Sequence, residues 1–305
     1  MTLPPIVALV GATASGKTGL SLDLAQALGG EVVNTDAFQV YRGMDIGTAK
    51  VPPAERRGVP HHLLDLLSVR EPLTVAHFQD QARETAARLR GDGTTPVLVG
   101  GSALYTRAVL DRFDFPATDE AVRARWEAEL ERVGARALHA RLAEIDPGAA
   151  AKMVPDNGRR VVRALEVIEI TGEPWSAALP ELTYADPATV QIGLTIDRPA
   201  LDRRIEQRVD EMFAAGLVEE VERLLDEGLA EGRTASRAIG YREVAAFLSG
   251  DMTLDAARER TVIGTRQFSR RQDAWFKKDP RIVWVPFDAP DRVEQALAAV
   301  QRTTS

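Results

Sequence analysis

Residues 11–18 read GATASGKT, directly after the apolar run Ile6-Val7-Ala8-Leu9-Val10. The spacing G-x-x-x-x-G-K-T between an apolar run and a helical pattern dictates a loop whose successive backbone N–H groups converge on phosphate oxygens. Gly11 and Gly16 allow the backbone angles that this convergence needs, with Ala12, Thr13, Ala14 and Ser15 carried between them. Lys17 supplies a point positive charge, and the Thr18 hydroxyl can ligate a magnesium ion bridging two phosphates. The N-terminus of the following helix adds its partial positive charge. The loop therefore specifies phosphate binding and leaves the reaction open, because many chemistries use it.

The residues after the loop set the fold class. Leu20, Leu24 and Leu28 recur at helical spacing, Gly29-Gly30 ends that helix, and Glu31-Val32-Val33-Asn34 begins a second strand. Such an opening predicts an α/β protein with a P-loop NTPase-like parallel sheet flanked by helices. Residues 96–99 predict a third strand ending in the turn Gly100-Gly101, and residues 190–196 and 282–285 predict later strands. Between them the chain changes character. Residues 119–142 are rich in Glu, Arg and Ala, residues 156–170 form an amphipathic helical pattern, and strand-like runs are scarce. The expected organisation is a core of residues 1–118 and 187–305, with C-terminal helices, interrupted by a mostly helical insertion at 119–186.

Composition narrows the class of partner. The 305 residues include no cysteine, which excludes disulfides and thiolate metal sites and fits a reducing compartment. No apolar stretch is long enough to span a bilayer, and the start Met1-Thr2-Leu3-Pro4-Pro5 carries no basic segment, so a cytoplasmic protein without a membrane role is expected. The net charge is −7, yet residues 265–278 hold Arg266, Arg270, Arg271, Lys277 and Lys278 against Asp273, a local +4 (five minus one) that leaves −11 elsewhere. An acidic body with a concentrated basic strip can still bind RNA along one groove.

The second strand runs into Asn34-Thr35-Asp36-Ala37-Phe38-Gln39-Val40-Tyr41-Arg42. Strand carboxyl ends face the ligand crevice in such sheets, so Asp36 is expected beside the phosphate loop. It can be a turn or helix-cap aspartate, a group near magnesium, or a general base. A switch or motor usually ends a further strand in an acid that positions magnesium and water. The third strand here ends in Val99-Gly100-Gly101-Ser102, without a carboxylate. Arg159 and Arg163 share a helix face flanked by Arg160, opposite Val161, Leu165 and Ile168, which reads as a solvated face or a phosphate-contacting one. Arg266, Arg270 and Lys277 share another, interleaved with Phe268, Trp275 and Phe276. That helix can hold RNA or pack in the core with a wet face. His61-His62 has no third ligand at metal spacing and reads as structural.

Taken together, GATASGKT and NTDAFQVYRGMDIGTAK resemble the tRNA dimethylallyltransferase (tRNA isopentenyltransferase) family. Its second strand carries S-x-D-S-x-Q-V-Y-R-x-x-D-I-G-T-A-K. Further matches come in order: Pro60-His61-His62-Leu63-Leu64-Asp65, the turn Gly100-Gly101-Ser102-Ala103-Leu104-Tyr105, the helix DNGRRVVRALEV at 156–167, RAIGYRE at 237–243, and residues 265–276. The resemblance spans residues 5 to about 278. Ala37 and Phe38 replace a usual serine and methionine, and Ser102 replaces a usual threonine. Ala37 can contact RNA only through its backbone. Without cysteines the chain cannot carry the C-terminal zinc finger of eukaryotic relatives, so the bacterial form is expected.

The resemblance implies transfer of a dimethylallyl group from dimethylallyl diphosphate to the exocyclic amine of the adenosine 3′-adjacent to the tRNA anticodon, with Mg2+ as cofactor. Asp36, Lys17 and Thr18 would be catalytic. Asp36, Ala37, Phe38, Gln39 and Ser102 would meet the flipped base. Arg123, Arg159, Arg160 and Arg163 of the insertion would contact tRNA, as would Arg237, Tyr241, Arg242, Arg266 and Arg270. The protein is expected to act as a monomer. Rival readings are a P-loop small-molecule kinase, an adenylate isopentenyltransferase acting on free nucleotide, and a non-enzymatic RNA-binding P-loop protein.

Overall fold

The computed structural model describes residues 3–116, 118–175 and 181–304. Met1, Thr2 and Ser305, and residues 117 and 176–180 near and within the expected insertion, lie outside them. The chain divides into two compact units, Met1–Asp111 with Tyr184–Ser305, and Arg112–Thr183. The smaller unit thus begins and ends a few residues before the 119–186 expected from the sequence.

The larger unit opens with β1 (Ile6–Val10), α1 (Lys17–Ala27), β2 (Gly30–Asn34), β3 (His61–His62), α2 (Val75–Gly91), β4 (Thr95–Val99) and α3 (Ala103–Leu110). The smaller unit holds α4 (Glu120–Val133), α5 (Ala135–Ile145), α6 (Pro147–Ala150) and α7 (Gly158–Thr171). The larger unit resumes with β5 (Thr189–Thr195), α8 (Arg198–Ala214), α9 (Leu217–Asp226), α10 (Tyr241–Leu248), α11 (Leu254–Phe276), β6 (Ile282–Pro286) and α12 (Arg292–Thr304).

Six parallel strands form one sheet in the order β3-β2-β4-β1-β5-β6. β1 is central, and Val7, Ala8, Leu9 and Val10 are all buried, as a strand covered on both faces requires. α1 packs with Leu20 and Leu24 against Val7, Leu9 and Ile192, and with Leu22 and Ala25 against Val32 and Val97. Each such leucine contributes roughly 1.5–3 kcal/mol of burial. The edge strand β3 is not expected from the sequence, because two histidines carry no apolar strand signal. It forms because His61 and His62 pair with Val32 and Val33, and His62 Nε2 meets Glu31 Oε2 at 2.6 Å. No group of three or more metal-ligating side chains occurs among the described residues, and none of their helices is long and apolar enough to cross a membrane.

Strand order decides where the chemistry gathers. Leu9 pairs with Val99, and Val99 pairs with Asn34. The loop after β1, the segment after β2 and the turn after β4 therefore emerge side by side at the carboxyl edge of the sheet. The smaller unit has its own core of Trp126, Leu138, Leu142, Val161 and Leu165. Asp119 caps α4 by accepting from the N–H groups of Ala121 and Val122.

Candidate active site

The phosphate loop is seated by two helices, α8 and α11. Ala12 and Ala14 pack on Leu201 and Ile205 of α8, and Arg204 Nε donates to the Ala14 carbonyl at 2.7 Å. Gln272 of α11 joins the loop to the turn after β4: its Oε1 accepts from Thr13 N–H at 2.8 Å, and its Nε2 donates to Gly101 O at 2.9 Å. Ala14 takes φ +63°, a left-handed conformation that costs an alanine energy and is sustained by this surround. Lys17 Nζ donates to Gly11 O and Ala12 O at 3.0 and 2.7 Å. Burial first, and then the Arg208 guanidinium, lower its pKa to about 7 against the opposing charge of Asp36. The Ser15 hydroxyl is buried without a hydrogen-bond partner among the described residues, which fits an anion not supplied by the protein.

Asp36 is held by its neighbours. Asn34 Oδ1 accepts from Asp36 N–H at 2.8 Å, while Asn34 Nδ2 donates to Asp36 O and Leu63 O at 3.1 and 3.0 Å. Thr35 N–H donates to Val99 O at 2.9 Å, tying the segment to β4. Gly100 makes this approach possible, since a Cβ there would lie 2.3 Å from Thr35 Oγ1. Burial raises the Asp36 pKa above the ordinary carboxylate value. The hydrogen bond from Phe38 N–H, at 2.9 Å, and the charges of Lys17 and Arg208 pull it back. A carboxylate so placed can accept a proton, while the bond it takes from Phe38 N–H two residues on is that of a turn aspartate, so one side chain fits both readings.

These groups line one cavity of about 860 Å3: Lys17 and Thr18, Asp36 and Gln39, and Arg208 of α8. Its size suits a drug-sized ligand. Thr18 is exposed in it. A hydroxyl beside substrate phosphate oxygens and water is a donor set that fits magnesium.

The other expected RNA residues fall into several environments. Phe38 is partly buried against the core. Ala37 N–H donates to Ser102 Oγ at 3.3 Å, so the two expected contacts bind one another. Tyr241 is fully buried and donates its hydroxyl to Glu220 Oε1 at 2.5 Å, which removes it from any RNA surface and corrects the expectation for that residue. Arg266 is partly exposed and bonds Glu206 of α8 at 2.8 Å. Phe276, read as interleaved with that basic face, is buried. Arg237 and Arg270 are exposed, and Arg242 is exposed while bonding Glu243. In the smaller unit Arg159 and Arg160 are exposed. Arg123 and Arg163 converge on Glu166, a fully buried carboxylate, each with a contact of 2.9 Å.

Sequence reasoning missed Arg208, Arg204 and Gln272. The i, i+4 pair Arg204–Arg208 on α8 was a visible signal of two cations on one face. A neutral glutamine in line with Ser269 and Phe276 marked the inner face of α11, since all three are buried.

The fold defines an α/β protein with a parallel sheet flanked by helices, in which the 11–18 loop and Asp36 line one cavity. The sequence profile of the IPP transferase family matches residues 39–279, and the chain belongs to that family. It is 69% identical to the tRNA dimethylallyltransferase of Nocardioides sp. over 98% of this chain and 96% of that protein. It is 55% identical to the same-named protein of Thermobifida fusca, over 97% and 94%. Among solved structures it is similar to the full-length tRNA isopentenylpyrophosphate transferase of Bacillus halodurans, with TM-score 0.72, 38% identity and 98% of each chain covered. It is also similar to a eukaryotic dimethylallyltransferase captured acting on tRNA, with TM-score 0.79 and 25% identity over 98% of this chain and 77% of that one.

Proposed function

We propose that this cavity transfers a dimethylallyl group from dimethylallyl diphosphate to the exocyclic amine of the adenosine 3′-adjacent to the tRNA anticodon, releasing diphosphate. The observation that carries the reading is the pairing of Lys17 and Asp36 in one cavity, each shifted mainly by burial. The loop N–H groups, Lys17 and Arg208 bind the diphosphate and stabilise the charge that grows as the C1–O bond breaks. Magnesium, held by Thr18, would supply further charge neutralisation on the leaving group. The amine nitrogen forms the new bond to C1. Its proton passes to an Asp36 carboxylate oxygen, and the diphosphate departs with the bonding electron pair.

The adenosine must leave its stack to reach Asp36, at a cost of a few kcal/mol, and cationic side chains offset that by holding the RNA backbone. Arg159, Arg160 and Arg163 of the smaller unit, with Arg237, Arg242 and Arg270 of the larger, are the proposed contacts, and a helical insertion for tRNA is the proposed use of 112–183. Arg123 acts with Arg163 through Glu166. Cytoplasmic action on tRNA is part of the same reading. A small-molecule kinase would form ADP without RNA, and a free-nucleotide enzyme would prenylate AMP. Incubation with labelled dimethylallyl diphosphate, magnesium and an anticodon stem-loop tests the reading. Label in the RNA with stoichiometric diphosphate release is expected, and label in AMP or release without RNA overturns it.

A further inference from the structure

The cavity wall that includes residues 45–50 has no helix or strand of its own. Its backbone is strapped from outside by Glu220 of α9. Oε2 of Glu220 accepts from Asp45 N–H and Ile46 N–H at 3.1 and 2.8 Å, and Oε1 accepts from Gly47 N–H at 3.2 Å and from the Tyr241 hydroxyl at 2.5 Å. Four donors satisfy a carboxylate that is only 6% exposed. Gly47 lies close on the Tyr241 ring, where any Cβ would sit 2.4 Å from Cε2. Lys50, also buried, completes the strap by bonding Asp45 and Asp65, each at 2.6 Å, and the Tyr41 carbonyl at 3.0 Å.

The strap acts on a side chain in the cavity. Gln39 Nε2 donates to the carbonyls of Thr48 and Ala49 at 3.0 and 3.4 Å. With its nitrogen held there, the Gln39 amide has Oε1 as the atom left for a ligand. The cavity then offers two hydrogen-bond acceptors, the Asp36 carboxylate and Gln39 Oε1. An exocyclic amine has two hydrogens to give them, whereas an oxo-purine sets a carbonyl acceptor against them and offers only its N1–H, so at least one acceptor is left unpaired.

We propose that Glu220 is a positioning residue for base recognition: by strapping residues 45–47 it fixes the carbonyls that orient Gln39, so that the cavity selects an amino-purine over an oxo-purine. This rests on the function proposed above. The test compares binding of anticodon stem-loops carrying adenosine or inosine at the target position, in the absence of prenyl donor. Wild type is expected to prefer adenosine, and E220Q and G47A each to narrow that preference by at least about fivefold, the scale of one missing hydrogen bond. The KM for dimethylallyl diphosphate should stay within about twofold, since the strap does not touch the phosphate loop.

A merely structural role would lower the folded fraction and weaken both stem-loops equally, leaving the ratio unchanged. Y241F keeps the ring under Gly47 and removes one donor of four, so it should fold and narrow the ratio less. An unchanged ratio in folded E220Q, or in G47A and Y241F if E220Q does not fold, overturns the positioning role. Failure of the wild type to prenylate the adenosine stem-loop when donor is added breaks the function reading instead.

Discussion

The two faces of the cavity are built on different principles. The phosphate loop is local: eight consecutive residues, running from the end of β1 into the first turn of α1, supply the N–H groups, the ammonium and the hydroxyl. The facing wall, from Asp36 to Lys50, is held by residues far along the chain, with Glu220 of α9 reaching back across 173 to 175 residues to three backbone amides. The loop binds a group that is the same in many substrates, and a contiguous motif suffices for it. Under the proposed function the wall recognises one base edge and holds the proton acceptor, and fine placement there needs tertiary contacts.

The difference can be broken most sharply at Asp36. D36N keeps the shape and removes the proton acceptor, so transfer should fall by at least about 100-fold while stem-loop affinity falls no more than the roughly fivefold of one hydrogen bond, as read by single-turnover kinetics and binding titration. Near-normal turnover would remove the wall from the chemistry. K17A breaks the other face: the KM for the prenyl diphosphate should rise by at least about tenfold, and stem-loop affinity should hold.

The pH profile of kcat/KM for the donor reads both faces together. Asp36 must be deprotonated, and burial raises its pKa, so activity falls with decreasing pH through a limb above the ordinary aspartate range. Lys17 must be protonated, so in the free protein activity falls as pH rises through about 7. K17A should abolish that basic limb and keep the acidic one.

Smaller effects sharpen the contrast away from the cavity. R159A with R163A should weaken stem-loop binding and reduce the salt slope by about 1–2, roughly one unit for each phosphate no longer neutralised. An unchanged slope would leave α7 with a solvated face. R266A should change the slope least, because Arg266 is bonded to Glu206.

The carboxyl-edge cluster was legible where signals were contiguous. Ile6–Val10, GATASGKT and the Val99-Gly100-Gly101 turn announced strands and loop in order. Asp36 could be placed beside the loop because parallel strands share a carboxyl edge. Tyr241 was expected at the RNA from the resemblance alone, and its burial against Glu220 of α9 was not legible, because what covers a side chain is set by another helix. The short strand β3 escaped because its pairing with β2 is set by neighbours and not by its own two residues.

By itself the sequence determined the glycine-rich loop, the parallel sheet and the place of Asp36 at its carboxyl edge, because each depends on backbone geometry that a few adjacent residues dictate. Only the tertiary structure decided that Arg208 faces the cradle, that Gln272 ties it to Gly101, and that Glu220 holds the opposite wall. Those contacts join residues with no local relation. Their energy comes from burying charge and amide groups that must find partners, and only the folded chain brings the partners within reach.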